Sequence, residues 1–160
     1  MRPHQMLLTS ALLAACSRGE PPAPSVAPPA PVAQAAKVAE PPKPSIDDTT
    51  FRLALVGVPE YAADKESALE LTLEARGGYH VNQDYPIRVD VKAPAGVKLA
   101  KASLGKPDAA TFNEQQASFK LPFSASAGAH DLTAVVDFAV CTKETCVPDQ
   151  RTVALAFQVR

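Results

Sequence analysis

The sequence predicts an all-β sandwich for most of the chain, and three observations carry that prediction. Apolar and polar residues alternate with a period of two over several short runs. Turn signals built on glycine and proline separate those runs. No segment carries an apolar stripe at helical spacing.

The first run is Phe51 to Val56. Leu69, Leu71 and Leu73 then alternate with Glu70, Thr72 and Glu74, and Gly77-Gly78 ends that run. Ile87, Val89 and Val91 alternate with Arg88, Asp90 and Lys92. Pro94-Ala95-Gly96 leads into a shorter candidate, Val97 to Ser103, which Gly105-Lys106-Pro107 closes. Phe119, Leu121 and Phe123 form the next run around Lys120. Beyond Ala127-Gly128, Leu132, Ala134, Val136, Phe138 and Val140 alternate with Asp131, Thr133 and Asp137. Val153, Leu155, Phe157 and Val159 make the last run. Alternation of this kind marks strands with one buried face. About seven such strands with frequent turns point to an immunoglobulin-like β-sandwich. Its expected extent is residues 49–160, long enough to bury a core of its own.

Residues 1–48 have a different composition. Met1-Arg2-Pro3-His4-Gln5 is a short, weakly basic start, and Met6 to Ala15 is mostly apolar. That run is too short to span a bilayer, which takes about 20 apolar residues. It fits the apolar region of a secretory signal peptide over 1–15. Leu13-Ala14-Ala15-Cys16 closes it and resembles the bacterial lipobox, which implies lipidation of Cys16 and attachment to membrane lipid. Ser17 follows in place of an aspartate, which by enteric-type sorting favours the outer membrane. The stretch to residue 48 is rich in proline and alanine, including Ala27-Pro28-Pro29-Ala30-Pro31 and Pro41-Pro42-Lys43-Pro44. Proline fixes φ and lacks an amide proton, so neither helix nor sheet propagates through such a segment. A disordered, extended linker is expected over 16–48, reaching at most about 90 Å at polyproline spacing.

The formal net charge is −1, which gives no electrostatic case for nucleic acid. No phosphate-binding loop, catalytic triad or well-spaced metal-ligand cluster is read, so no cofactor and no metal are expected. The chemistry that remains is in the cysteines: Cys16, Cys141 and Cys146. With Cys16 assigned to lipid, Cys141 and Cys146 form a pair separated by Thr142-Lys143-Glu144-Thr145. They fall between the last two runs, at the tip of an expected hairpin. Even-numbered residues of the preceding run face the core, so Cys141 is expected on the opposite face, at or near the surface.

Three chemistries are compatible with this pair. An exported location favours a structural disulfide. An exposed or strained disulfide is readily reduced, which suits a redox pair. Thiolates joined by His80 or His130 suit a metal, although the cysteine spacing is wide for a zinc knuckle.

Gly78-Tyr79-His80-Val81-Asn82 with Tyr85-Pro86, and the stretch from Val136 through Cys141 and Cys146-Val147-Pro148-Asp149 to Leu155, resemble a known family. They are similar to the Gly-Trp-His-Ile-Asn motif and the paired-cysteine hairpin of the N-terminal periplasmic domain of DsbD-type thiol:disulfide interchange proteins. The resemblance covers about Asp64 to Arg160. It implies an immunoglobulin-like sandwich that takes electrons from a membrane-embedded partner and passes them to periplasmic thiol proteins. By position it implies that Cys141 and Cys146 are the redox pair. Tyr79 stands where the motif has tryptophan, and the cysteines are one residue closer than in the best-known member. His80 and Asn82 are read as structural, their side chains satisfying backbone groups of a turn.

No transmembrane electron-transfer segment or thioredoxin-like segment is read in these residues. The expected partner is therefore a DsbD-like membrane protein or a periplasmic thioredoxin-like protein. The rival expectation is a non-catalytic envelope lipoprotein, a binding module in which Cys141–Cys146 is only structural.

Overall fold

The computed structural model describes residues 42–160. The expected signal peptide, Cys16 and most of the expected linker lie outside the described residues.

Among the described residues, twelve strands form two sheets. In chain order they are β1 (Ser45–Asp47), β2 (Phe51–Val56), β3 (Glu60–Tyr61), β4 (Ser67–Ala75), β5 (His80–Val81) and β6 (Arg88–Lys92). There follow β7 (Val97–Leu99), β8 (Ser103–Gly105), β9 (Thr111–Phe112), β10 (Gln116–Ala125), β11 (Gly128–Cys141) and β12 (Cys146–Val159). A single turn of 3₁₀ helix, Lys106–Asp108, links β8 to β9.

One sheet runs β1-β2-β4-β10-β7, with β9 added beside β10. The other runs β3-β12-β11-β6-β8, with β5 added beside β11. All pairings are antiparallel except β3 with β12. Two open sheets that bury their facing sides make a sandwich of the expected immunoglobulin-like kind.

The core follows the alternation. Leu69, Leu71, Leu73, Phe119, Leu121, Leu132, Val136 and Phe138 are almost wholly buried. Phe51 meets Phe138 edge-on across the two sheets, with ring centroids 4.8 Å apart. At the opposite end Tyr61, Phe123 and Phe157 form a second aromatic contact set. Such edge and tilted pairs suit the aromatic quadrupole.

The structure differs from the sequence expectation in its small elements. Val97 to Ser103 is not one strand: β7 belongs to the first sheet and β8 to the second. The chain crosses between sheets here, which a short alternating run does not reveal. β1 lies inside the stretch expected as linker, pairing Ser45–Asp47 with Arg52–Ala54. An Asx turn bends the chain between the two strands. Asp48 Oδ1 accepts from the Thr50 amide at 3.1 Å and from the Thr50 hydroxyl at 3.1 Å. Pro44 and Lys43 take part through their carbonyls, which accept from the Leu55 and Ala154 amides. Proline forbids donation, not acceptance, so composition alone misplaces the first pairing residue.

The position of β5 sets up the functional end of the molecule. β11 pairs with β12 along its whole length, from Gly128↔Val159 to Cys141↔Cys146. Its other edge pairs with β6 only through Thr133–Asp137. The edge beyond is taken by β5, with Val140↔Val81 and Cys141↔His80. The chain reaches this place from β4 through Gly77 and Gly78, whose φ values are +60° and +81°. A side chain is strained at such φ, and a Cβ on Gly77 would also run into the Thr49 carbonyl.

Candidate functional site: the cysteine hairpin

The turn between β11 and β12 is Thr142-Lys143-Glu144-Thr145. The Thr142 amide donates to the Thr145 carbonyl at 2.8 Å. The Thr142 hydroxyl accepts from the Glu144 and Thr145 amides, both at 3.2 Å. The pair that closes the turn is thus hydrogen-bonded, and the next pair outward, Cys141 with Cys146, is a non-hydrogen-bonded position. Side chains are closest at such positions. The two Cα atoms are 4.0 Å apart and the sulfurs are bonded.

The two cysteines differ sharply in exposure. Cys146 is exposed, as are Val147 and Pro148 after it. Cys141 is 2% exposed. It belongs to the face expected from parity, opposite Val140 and Phe138, but its expected position at or near the surface is corrected by the structure. The neighbouring Ala139 is buried on the same outward side. β5 and the turn after it lie against this end of β11, and periodicity along one strand carries no information about such a neighbour.

Asn82 is the residue at the join. Its backbone amide donates to the Ala139 carbonyl at 3.0 Å. Its side-chain oxygen accepts from the amides of Asp84 at 2.9 Å and Tyr85 at 3.2 Å. Its side-chain nitrogen donates to Cys141 Sγ at 3.2 Å and lies 3.6 Å from Cys146 Sγ. The reading of Asn82 as a turn residue holds for its oxygen. The contact of its nitrogen with the sulfurs was not legible in the sequence, because Asn82 and Cys141 are separated by 59 in sequence number.

His80 lies in register with Cys141, and paired residues of neighbouring strands share a face of the sheet. Tyr79 is partly buried against the core. His130 is at the other end of β11, its ring nitrogen 2.8 Å from the Ser126 carbonyl. The structure therefore brings His80, Asn82, Cys141 and Cys146 together and leaves His130 remote. Among the described residues no group of three or more His, Cys, Asp or Glu is placed to hold a metal ion. Among the same residues no helix is long and apolar enough to cross a membrane.

The Asn82 turn has its own support. Lys106 Nζ donates to the Gln83 carbonyl at 2.8 Å and lies over the Phe112 ring. The helical turn carrying Lys106 is held by Asp108, which accepts from Lys101 at 2.6 Å and from the Gly105 amide at 2.9 Å. The Lys101 ammonium first, and the Gly105 amide next, hold the Asp108 carboxyl below its usual 3.8. A carboxyl with a depressed folded pKa stabilises the fold above its unfolded pKa, and that contribution is lost as pH falls through the folded value. Asp108→Asn is therefore expected to lower the melting temperature modestly at pH 7. The gap to the parent chain should narrow as pH drops below 3.8. A gap that persists undiminished in acid would show that the carboxylate charge is not what matters.

Residues 53–158 match the family model described as "Thiol:disulfide interchange protein DsbD, N-terminal". No curated protein matches the chain at a significant level. Among solved structures it is similar to AggA, the major subunit of aggregative adherence fimbriae type I from Escherichia coli. That similarity has 10% identity and a TM-score of 0.33, over 69% of this chain and 95% of the other. The family match includes both cysteines and the strand that carries His80, and it agrees with the sandwich and the disulfide. The chain belongs to the family of N-terminal domains of DsbD-type thiol:disulfide interchange proteins.

Proposed function

We propose that the chain is a lipid-anchored periplasmic protein whose Cys141–Cys146 pair exchanges electrons with a thioredoxin-like domain or a DsbD-like membrane protein. The observation that carries this reading is the asymmetry of the pair: one sulfur exposed, its partner buried against a hydrogen-bond donor. The family's connection with thiol–disulfide exchange supports it. The lipobox-like Leu13-Ala14-Ala15-Cys16 supports the anchor, with 16–48 as the tether and the outer membrane as the favoured site.

Exchange on this geometry begins at Cys146. A partner thiolate attacks Cys146 Sγ, the S–S bond breaks, and Cys141 leaves as a thiolate. The partner's second thiolate then attacks its own sulfur in the mixed disulfide and releases Cys146. The partner dithiol is oxidised by two electrons and this pair is reduced. Run backwards, the same steps deliver both electrons to a client disulfide.

The burial of Cys141 also favours a second reading, a structural clasp in a binding module. Equilibration with glutathione separates the two. An exchange centre is expected to have a reduction potential above about −300 mV, and an inert bridge one well below it. The double Cys→Ser variant gives an independent check. Either reading lowers melting by the lost cross-link. Covalent capture of partner by the parent chain, lost in the variant with non-covalent binding preserved, fits exchange; a parent chain that captures no partner covalently fits the clasp. The anchor has its own test: Cys16→Ser should move the protein from the membrane to the soluble periplasmic fraction. Unchanged membrane partition would remove the lipid from the proposal.

A further inference from the structure

We infer that Asn82 is a positioning residue that stabilises the Cys141 thiolate released when the disulfide opens. The inference rests on the exchange reading above and deepens it.

The orientation of the Asn82 amide is fixed by its surroundings. Its oxygen accepts from two backbone amides, those of Asp84 and Tyr85. Turning the group over would aim NH₂ at two N–H donors, so the nitrogen must face the sulfurs. The residue cannot drift away, because its own backbone amide is bonded to Ala139 on the strand that carries Cys141. The donor is therefore in place before the reaction, 3.2 Å from the buried sulfur and 3.6 Å from the exposed one.

The effect of such a donor depends on the charge of its acceptor. A disulfide sulfur is a weak, neutral acceptor, whereas a thiolate is a strong one. The contact thus gains most after the bond has broken, and it gains most at Cys141. Water reaches this sulfur poorly, since Cys141 is 2% exposed, and burial without a donor disfavours a thiolate. A low leaving-thiol pKa speeds its departure, and a stabilised reduced form raises the reduction potential. Asn82 thereby makes the hidden cysteine the leaving group and the exposed one the point of attack.

Two variants separate this role from a merely structural one. Asn82→Asp keeps an oxygen for the Asp84 and Tyr85 amides but turns a negative oxygen toward the sulfur. Asn82→Ala removes both functions. The reduction equilibrium with glutathione is measured for each in the full chain. Asn82→Ala should favour the disulfide about tenfold relative to the parent, which is about 30 mV for two electrons. Asn82→Asp should favour it further still, although it preserves the turn. In the Cys146→Ser background the Cys141 thiolate is followed by its absorbance at 240 nm. Its pKa should rise by about one unit with alanine and more with aspartate. His80, the titratable neighbour in register with Cys141, is common to all variants, so the comparison isolates Asn82.

A turn-holding role alone gives the opposite order, with Asn82→Asp close to the parent in both measurements. That result would overturn the inference. The thiolate measurement needs no partner protein, so it decides the role of Asn82 even if the exchange reading fails. Conversely, ready exchange by the parent chain with an unshifted Asn82→Asp would sink this inference alone.

Discussion

Cys141→Ser is expected to accumulate a mixed disulfide with a thioredoxin-like protein whose second cysteine is replaced by serine and whose first is capped with glutathione, while Cys146→Ser forms it about tenfold less, because exchange depends on access to the sulfur. In Cys141→Ser the remaining thiol of the pair is the exposed Cys146; it displaces glutathione from the partner, and neither protein keeps the second cysteine that would undo the link. In Cys146→Ser the remaining thiol is nearly inaccessible at 2% exposure. Both variants lose the same cross-link. For so short a loop its contribution is about 2 kcal/mol in the chain-entropy model. Unequal stability therefore does not account for unequal trapping. Non-reducing gels of the purified variants mixed with partner read the yield directly. Equal yields would mean that the hairpin opens enough to present either sulfur, and the order of steps given above would be lost.

Phe138→Ala should be the most damaging of the single-site changes considered. Phe138 is fully buried, and its ring meets Phe51 across the space between the two sheets. Phe51 in turn lies under the Arg151 guanidinium, which is bonded to Asp149. Truncation removes the contact that joins β11 to β2 and leaves a cavity where the sheets should touch. Phe→Ala in a core costs about 3–5 kcal/mol, a large part of the whole stability of a domain. A fall of roughly 15 °C in melting temperature follows for a domain of this size. Calorimetry decides it. A fall of only a few degrees would show that neighbouring side chains collapse into the gap and that this aromatic contact is not a keystone.

The long strands were legible because burial on one face imprints a period of two. Leu69–Leu73 and Leu132–Val140 show it plainly, and both lie where expected. The short elements β1, β3, β5 and β9 were not legible. Two or three residues cannot display a period, and these strands form because a longer neighbour presents free edge groups. The candidate site divides in the same way. The cysteine pair and its hairpin can be read from spacing. The burial of Cys141 and the Asn82 contact depend on β5 arriving from elsewhere in the chain, and no local pattern announces that arrival.

The ladder between β11 and β12 runs without interruption from Gly128↔Val159 to Cys141↔Cys146. The covalent link is thus only the final rung of a zipper closed by main-chain bonds. Cleaving that rung leaves the rest fastened, so two free thiols remain side by side at high effective concentration. Toggling between oxidised and reduced forms then requires little rearrangement of the scaffold. Amide exchange along the last two strands should look nearly alike in both forms, with differences confined to the few residues around the tip.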